Sequence, residues 1–138
     1  MEQAKKILTA GSYTCVLRKN ETILTATERG VKPLVRWLTE GVDVRGFSAA
    51  DKVVGRATAY LYVLLGVKEV WAAVMSEAAA EVLRRHGIAA SQEKLVKNIS
   101  NRTGTGICPF EEAVLEIQTP EDALIAIREK MAAMSITL

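Results

Sequence analysis

The sequence predicts a single α/β domain, residues 1–138, of three layers: helices on both faces of one sheet. Three observations lead there. β-rich runs alternate with amphipathic helical runs along the chain. The run VKEVWAAVM at residues 67–75 is apolar with no periodic polar face, as a strand covered on both sides should be. Finally, 138 residues suffice for one well-buried core, and no internal repeat or shift in composition marks a linker.

In chain order, residues 2–9 read as a short leading helix. SYTCVLRKN and ETILTAT follow as two β-rich runs meeting at Lys19-Asn20-Glu21, a hairpin in which Cys15 shares a core-facing alternation with Tyr13 and Leu17. Glu28-Arg29-Gly30 punctuates the chain. VKPLVRWLTEG is then a helix with Pro33 in its first turn and Gly41 at its end. After the polar loop VDVRG, residues 48–65 place Ala50, Val53, Val54, Ala57, Leu61, Leu64 and Leu65 at helical spacing. Tyr60, Tyr62 and Val63 broaden the stripe, so this reads as one long helix buried on most sides.

The strand at 67–75 leads to Ser76, the cap of a helix whose Arg84, Arg85 and His86 gather at the dipole's negative end before Gly87 stops it. IAASQEKLV is a short strand. ISNRTGTGICP is the one long irregular stretch, followed by a short helix at PFEEAVLEI and a longer one at PEDALIAIREKMAAM. Thr119-Pro120-Glu121-Asp122 is the start signal of the last.

Composition removes several classes. Hydrophobic residues at 49% and charged residues at 25% are ordinary for a globular chain, against disorder or a fibre. A net charge of +2 leaves no electrostatic footprint for nucleic acid. No apolar run reaches membrane-spanning length, and Cys15 and Cys108 are too few for a disulfide framework; the expectation is a cytoplasmic protein. Nothing implies a cofactor.

A hairpin, a buried helix, a strand, a helix ending in Gly-Ile and a further strand, over roughly residues 1–95, resembles the cytidine deaminase-like superfamily, which implies a mixed sheet. In that superfamily a His/Cys-x-Glu motif opens the buried helix and Pro-Cys-x-x-Cys opens the next. Here those places read Ala49-Ala50-Asp51-Lys52 and Met75-Ser76-Glu77-Ala78-Ala79. With Cys15, Cys108 and His86 as the chain's soft ligands, and His86 expected at the far pole, a zinc site is not expected. More narrowly, residues 51–56 together with Asn101-Arg102-Thr103-Gly104-Thr105-Gly106-Ile107-Cys108-Pro109-Phe110-Glu111 resemble domain of unknown function family 1893 within this superfamily. The superfamily resemblance also implies homo-oligomerisation.

Candidate site residues concentrate in two places. At the start of the long helix, Ser48 and Asp51 have capping-box spacing. Lys52 opposes the helix dipole, Arg56 lies one turn on along the same face, and Gly55 in a helix interior costs about 1 kcal/mol relative to Ala. Local rules that fail together point to a site, and two cations beside free N–H groups suit a phosphate or carboxylate. Ser76 and Glu77 at the next helix start belong to the same crevice, beyond the carboxyl ends of the strands. The second place is the loop Arg102, Thr103, Gly104, Thr105 and Gly106. Its glycines permit positive φ and an anion-binding concavity, although the Walker ending is missing. Cys108 precedes Pro109 and Glu111 at a helix start, where a thiol is activated; the alternative is a small buried apolar side chain.

Three functional readings follow. The first is a binding module for a small anionic ligand, a nucleotide or phosphate ester, held by Lys52, Gly55, Arg56, Ser76, Glu77 and the 102–106 loop without metal. The second is a cysteine-dependent enzyme in which Cys108 attacks and Asp51 handles a proton. The third is a non-catalytic interaction subunit that docks through Trp37, Trp71 or the tail at 131–134.

Overall fold

The computed structural model describes residues 1–100, 104 and 106–138. Its elements are α1 (Glu2–Ala10), β1 (Cys15–Lys19), β2 (Thr22–Ala26), α2 (Lys32–Glu40), β3 (Ser48–Val54), α3 (Arg56–Leu65), β4 (Glu69–Ser76), α4 (Glu77–Arg85), β5 (Ala89–Val96), α5 (Pro109–Ala113) and α6 (Pro120–Ala133). The sheet is mixed, in the order β2-β1-β3-β4-β5. β1 runs antiparallel to β2 and β3, while β3, β4 and β5 are parallel. β4 therefore sits centrally between parallel neighbours, as its unbroken apolar run predicts.

The hairpin turns on Asn20, whose φ of 56° lets two residues connect Lys19 to Thr22. Gly41 closes α2 in the left-handed region at φ 70°, which only glycine adopts without strain. The Ser76 and Thr119 side chains accept from Ala79 N at 3.1 Å and Asp122 N at 3.2 Å, so both caps read from the sequence are formed.

The single long helix over 48–65 is not formed. Its first half is β3, the middle strand of the sheet, paired on both sides; Gly55 separates it from α3 with extended backbone at φ −100°, ψ −176°. Ser48 and Asp51 are therefore strand residues and make no capping box, and Gly55 is the cap position of α3 rather than a helix interior. A short strand joined directly to a helix imitates helical spacing, because short apolar runs fit either period. What separates them is pairing: in a central strand every backbone group is satisfied by a neighbour on each side.

The sheet divides the core. α1 covers one face, where Ala4 and Leu8 pack on Val16, Ala50 and Trp71. α2, α3, α4 and α6 cover the other over Leu17, Ala49, Val70 and Ala72, giving three layers. Cys15 and Leu17 share that second face, whereas Tyr13 packs toward α1. Trp37, Trp71 and Met131 are buried and belong to the core, whereas the rest of the 131–134 tail, Ala132, Ala133 and Met134, is exposed.

Candidate functional site

Two parallel βαβ units place the starts of α3 and α4 beyond the carboxyl ends of β3 and β4. At this pole lies a cavity of about 60 Å³ lined by Arg56, Ser76, Lys97, Asn98 and Glu111, with Ile99, Ile107 and Leu115 among its apolar walls. Arg56 and Ser76 were expected here; Lys97, Asn98 and Glu111 were not.

The free N–H groups expected at the buried helix's start are occupied. Glu111 Oε1 accepts from Arg56 N at 2.6 Å and Oε2 from Ala57 N at 2.8 Å, a carboxylate from α5 capping α3. Burial raises the Glu111 pKa, and the two N–H groups and the Arg56 charge pull against that rise. The pairing explains Gly55: a Cβ there would meet Glu111 Cδ at 2.5 Å. The anomalous glycine was the signal, and its cause is this close approach. Glu111 therefore does not serve as the capping-box acid of its own helix.

Arg56 is likewise engaged by the protein. Its guanidinium stacks on the Tyr60 ring at 5.6 Å and donates to the Tyr60 hydroxyl at 3.2 Å and to the Ile117 carbonyl. Tyr60 OH donates to the same carbonyl at 2.9 Å and accepts from Arg85 at 3.2 Å, which ties α3, α4 and the α5–α6 connection together. Arg56 Nε is buried beside the cavity with no partner among the described residues. His86, at the C-cap of α4, turns its Nδ1 to the Val82 carbonyl at 2.9 Å, as a helix terminator.

Asp51 forms a separate, closed cluster. Its Oδ2 accepts from Tyr62 OH at 2.7 Å and its Oδ1 from Val53 N at 3.3 Å, and Cys15 Sγ lies 3.0 Å from the same hydroxyl. Burial pushes the Asp51 pKa up to about 6 against these hydrogen bonds. Burial, reinforced by the Asp51 charge, also pushes the Cys15 thiol and the Tyr62 phenol well above their usual ranges. Cys15 thus stays a thiol, and its place in the core agrees with the sequence reading.

The remaining candidates are dispersed. Lys52 is exposed on β3 and does not line the cavity, and Glu77 is exposed in the first turn of α4. The Ser76 hydroxyl is spent on its cap. Arg102, Thr103 and Thr105 lie outside the described residues. The base of their loop is closed by the Ser100–Ile107 bridge and by Cys108 N donating to the Ile99 carbonyl at 3.0 Å. Gly104 has φ 72° and is exposed, and a Cβ there would meet nothing within 4 Å among the described residues. Gly106 is also exposed. Cys108 is half-buried at the N-cap of the five-residue α5, and its side chain makes no capping bond. Neither Asp51 nor Cys108 lines the cavity, and the structure does not bring the two together.

Among the described residues no three His, Cys, Asp or Glu side chains converge as metal ligands. The starts of α3 and α4, Gly55-Arg56-Ala57 and Ser76-Glu77-Ala78, carry neither cysteine nor histidine. These positions offer a zinc ion neither thiolate nor imidazole, so the donor set does not fit that metal. No helix is long and apolar enough to cross a membrane among the described residues.

Comparison with known proteins agrees with this architecture. No curated protein matches the chain. A crystal structure of a DUF1893 family protein from Thermotoga maritima superposes with a TM-score of 0.86 at 25% identity, covering 94% of this chain and 88% of that one. A dCMP deaminase from cyanophage S-TIM5 in apo form matches at 16% identity and TM-score 0.43, over 56% of this chain and 77% of its own. A diaminohydroxyphosphoribosylaminopyrimidine deaminase/5-amino-6-(5-phosphoribosylamino)uracil reductase from Thermotoga maritima matches at 16% and 0.42, over 67% of this chain and 34% of its own. The family model described as a domain of unknown function, DUF1893, matches residues 3–131. The chain belongs to the DUF1893 family.

Proposed function

We propose that this protein binds a small anionic ligand, a nucleotide or another phosphate ester, at the carboxyl-end pole, without zinc. The observation that carries the reading is the cavity itself: Arg56, Lys97 and Asn98 line it, and Arg56 Nε is buried with no protein partner among the described residues. A buried donor without an acceptor is costly by about 1–3 kcal/mol and is relieved by a ligand oxygen. At about 60 Å³ the cavity admits only the anionic group, and the rest of the ligand lies outward against Ile107 and Leu115. Lys52 and Glu77 drop out of the binding set, and Lys97 enters it. The sparse cysteine and histidine content supports the metal-free part of the reading, and two unpaired cysteines agree with a reducing compartment such as the cytoplasm.

A thermal-shift screen against inorganic phosphate, nucleoside monophosphates and sugar phosphates tests it. Lys97→Glu is the diagnostic variant, because Lys97 is exposed whereas Arg56 also braces Tyr60. The expected result is a ligand that raises the melting temperature of wild type and not of Lys97→Glu; equal shifts in both would remove this pole from consideration.

One observation favours the interaction-subunit reading: Ile107 and Leu115 stand 41% and 60% exposed at the cavity's rim. On that reading the pole is covered by a further subunit, and homo-oligomerisation is its simplest form. Loss of assembly in Leu115→Asp, with ligand shifts preserved, would support it. A cysteine-dependent reaction rests on Cys108 alone, and selective alkylation of Cys108 near neutral pH is its test.

A further inference from the structure

The opposite pole, at the amino ends of the parallel strands, holds a larger cavity, about 300 Å³, lined by Arg18, Lys19, Gly46, Ser48 and Lys68 among others. That volume reaches the lower bound of ordinary small-molecule sites. The topology assembles it. Arg18 pairs with Ser48 across β1 and β3, and Ser48 with Glu69 across β3 and β4, so three adjacent strands end at one level. Lys19 ends β1 beside the hairpin turn, and the approach to β4 adds Lys68.

These three cations have no ion pair among the described residues, whereas two acids near them, Asp43 and Glu69, have partners of their own. Arg45 holds Asp43, which feels the Lys19 charge, at 3.1 and 3.2 Å. Glu69 takes the Ser48 hydroxyl at 2.6 Å. Gly46 lines the cavity at φ 78°, a left-handed conformation that suits glycine. The walls contain no aromatic side chain and, apart from Met1, no large apolar one, so recognition here is of charge rather than of a ring.

We infer that this pole is a second binding site, for the polyphosphate group of a small molecule. Three cations without an ion pair around a polar cavity match an anion of several charges on adjacent phosphates, and lysines serve such groups as point charges. A nucleobase finds no stacking surface. The site is separate from the carboxyl-end pole, and neither depends on the other.

Isothermal titration of the full chain with inorganic pyrophosphate tests it, with Lys19→Ala/Lys68→Ala as the variant. Both lysines are exposed, so folding is retained, and Lys19→Gln/Lys68→Gln replaces the alanine pair if circular dichroism shows otherwise. The expected result is pyrophosphate binding in wild type, about tenfold or more weaker in the double variant, unchanged in Lys97→Glu, and weakening as salt rises to about 0.15 M. ADP equal to pyrophosphate supports a site that reads phosphates alone. Three results would overturn the inference: no pyrophosphate binding, equal binding in the double variant, or ADP binding far more tightly than pyrophosphate.

Discussion

At one pole of the sheet the chain has neutralised its own electrostatic deficit, and at the other it has not. Beyond the carboxyl ends of the strands, the open N–H groups of α3 are met by Glu111, and Arg56 is absorbed by Tyr60 and a carbonyl. What is left is a cavity of about 60 Å³. At the amino ends, Arg18, Lys19 and Lys68 face about 300 Å³ with Asp43 and Glu69 already engaged. A helix start in an α/β crevice is an anion site by default, but a carboxylate from elsewhere in the chain can fill it. Buried acids, Glu111 at the first pole and Asp51 in its core cluster, should make stability sensitive to pH, whereas the exposed bases should make the second pole sensitive to salt.

The largest expected effect concerns Asp51. Folding raises its pKa from 3.8 to about 6, so the folded chain keeps a proton that the unfolded chain has released. The stability this supplies is fully present below pH 3.8 and is lost as pH rises through about 6; the difference is about 3 kcal/mol. Urea unfolding across that range should show the decline, and Asp51→Asn should flatten it. Glu111, raised in the same direction, contributes a smaller slope of the same sign. A profile unchanged by Asp51→Asn would mean that the cluster with Tyr62 and Cys15 does not titrate.

Next is Gly55→Ala, which drives a methyl group into the Glu111 carboxylate and should cost about 1–3 kcal/mol. In combination with Glu111→Ala the two losses should fall well short of additive, as expected of residues in contact; additive losses would break the account of Gly55. Glu111→Gln alone should cost about 1 kcal/mol, the scale of a helix cap. The smallest effect on stability belongs to the other pole: Lys68→Ala should stay within about 0.5 kcal/mol of wild type by the same unfolding assay. A larger loss would show that the amino-end cations are structural and would erase the contrast between the poles.

Much of the fold was legible because it rests on local chemistry. The Asn20 turn, the Gly41 and Gly87 stops, the Ser76 and Thr119 caps and the apolar run of β4 each follow from residues within a few positions of one another. β3 was not legible, because SAADKVV and the helix after it share one apolar spacing and the strand is decided by partners in β1 and β4. The candidate site divides the same way. Arg56 and Ser76 lie at the expected pole; Lys52 does not reach it, and Asp51 turns inward to Tyr62.

By itself the sequence determined the α/β layering, the caps at Ser76 and Thr119 and the scarcity of soft metal ligands, since composition and short-range pattern carry all three. It also marked Gly55 as anomalous. Only the tertiary structure decided why: Glu111, 54 residues from Ala57 along the chain, comes to lie against Gly55 when α5 folds across the end of the sheet. The same holds for Arg18, Lys19 and Lys68, which become one cationic cavity because antiparallel and parallel pairing end three strands at one level. Sequence spacing fixes which neighbours share a turn, but which distant charges meet depends on strand order and register, and those are set by burial across the whole core.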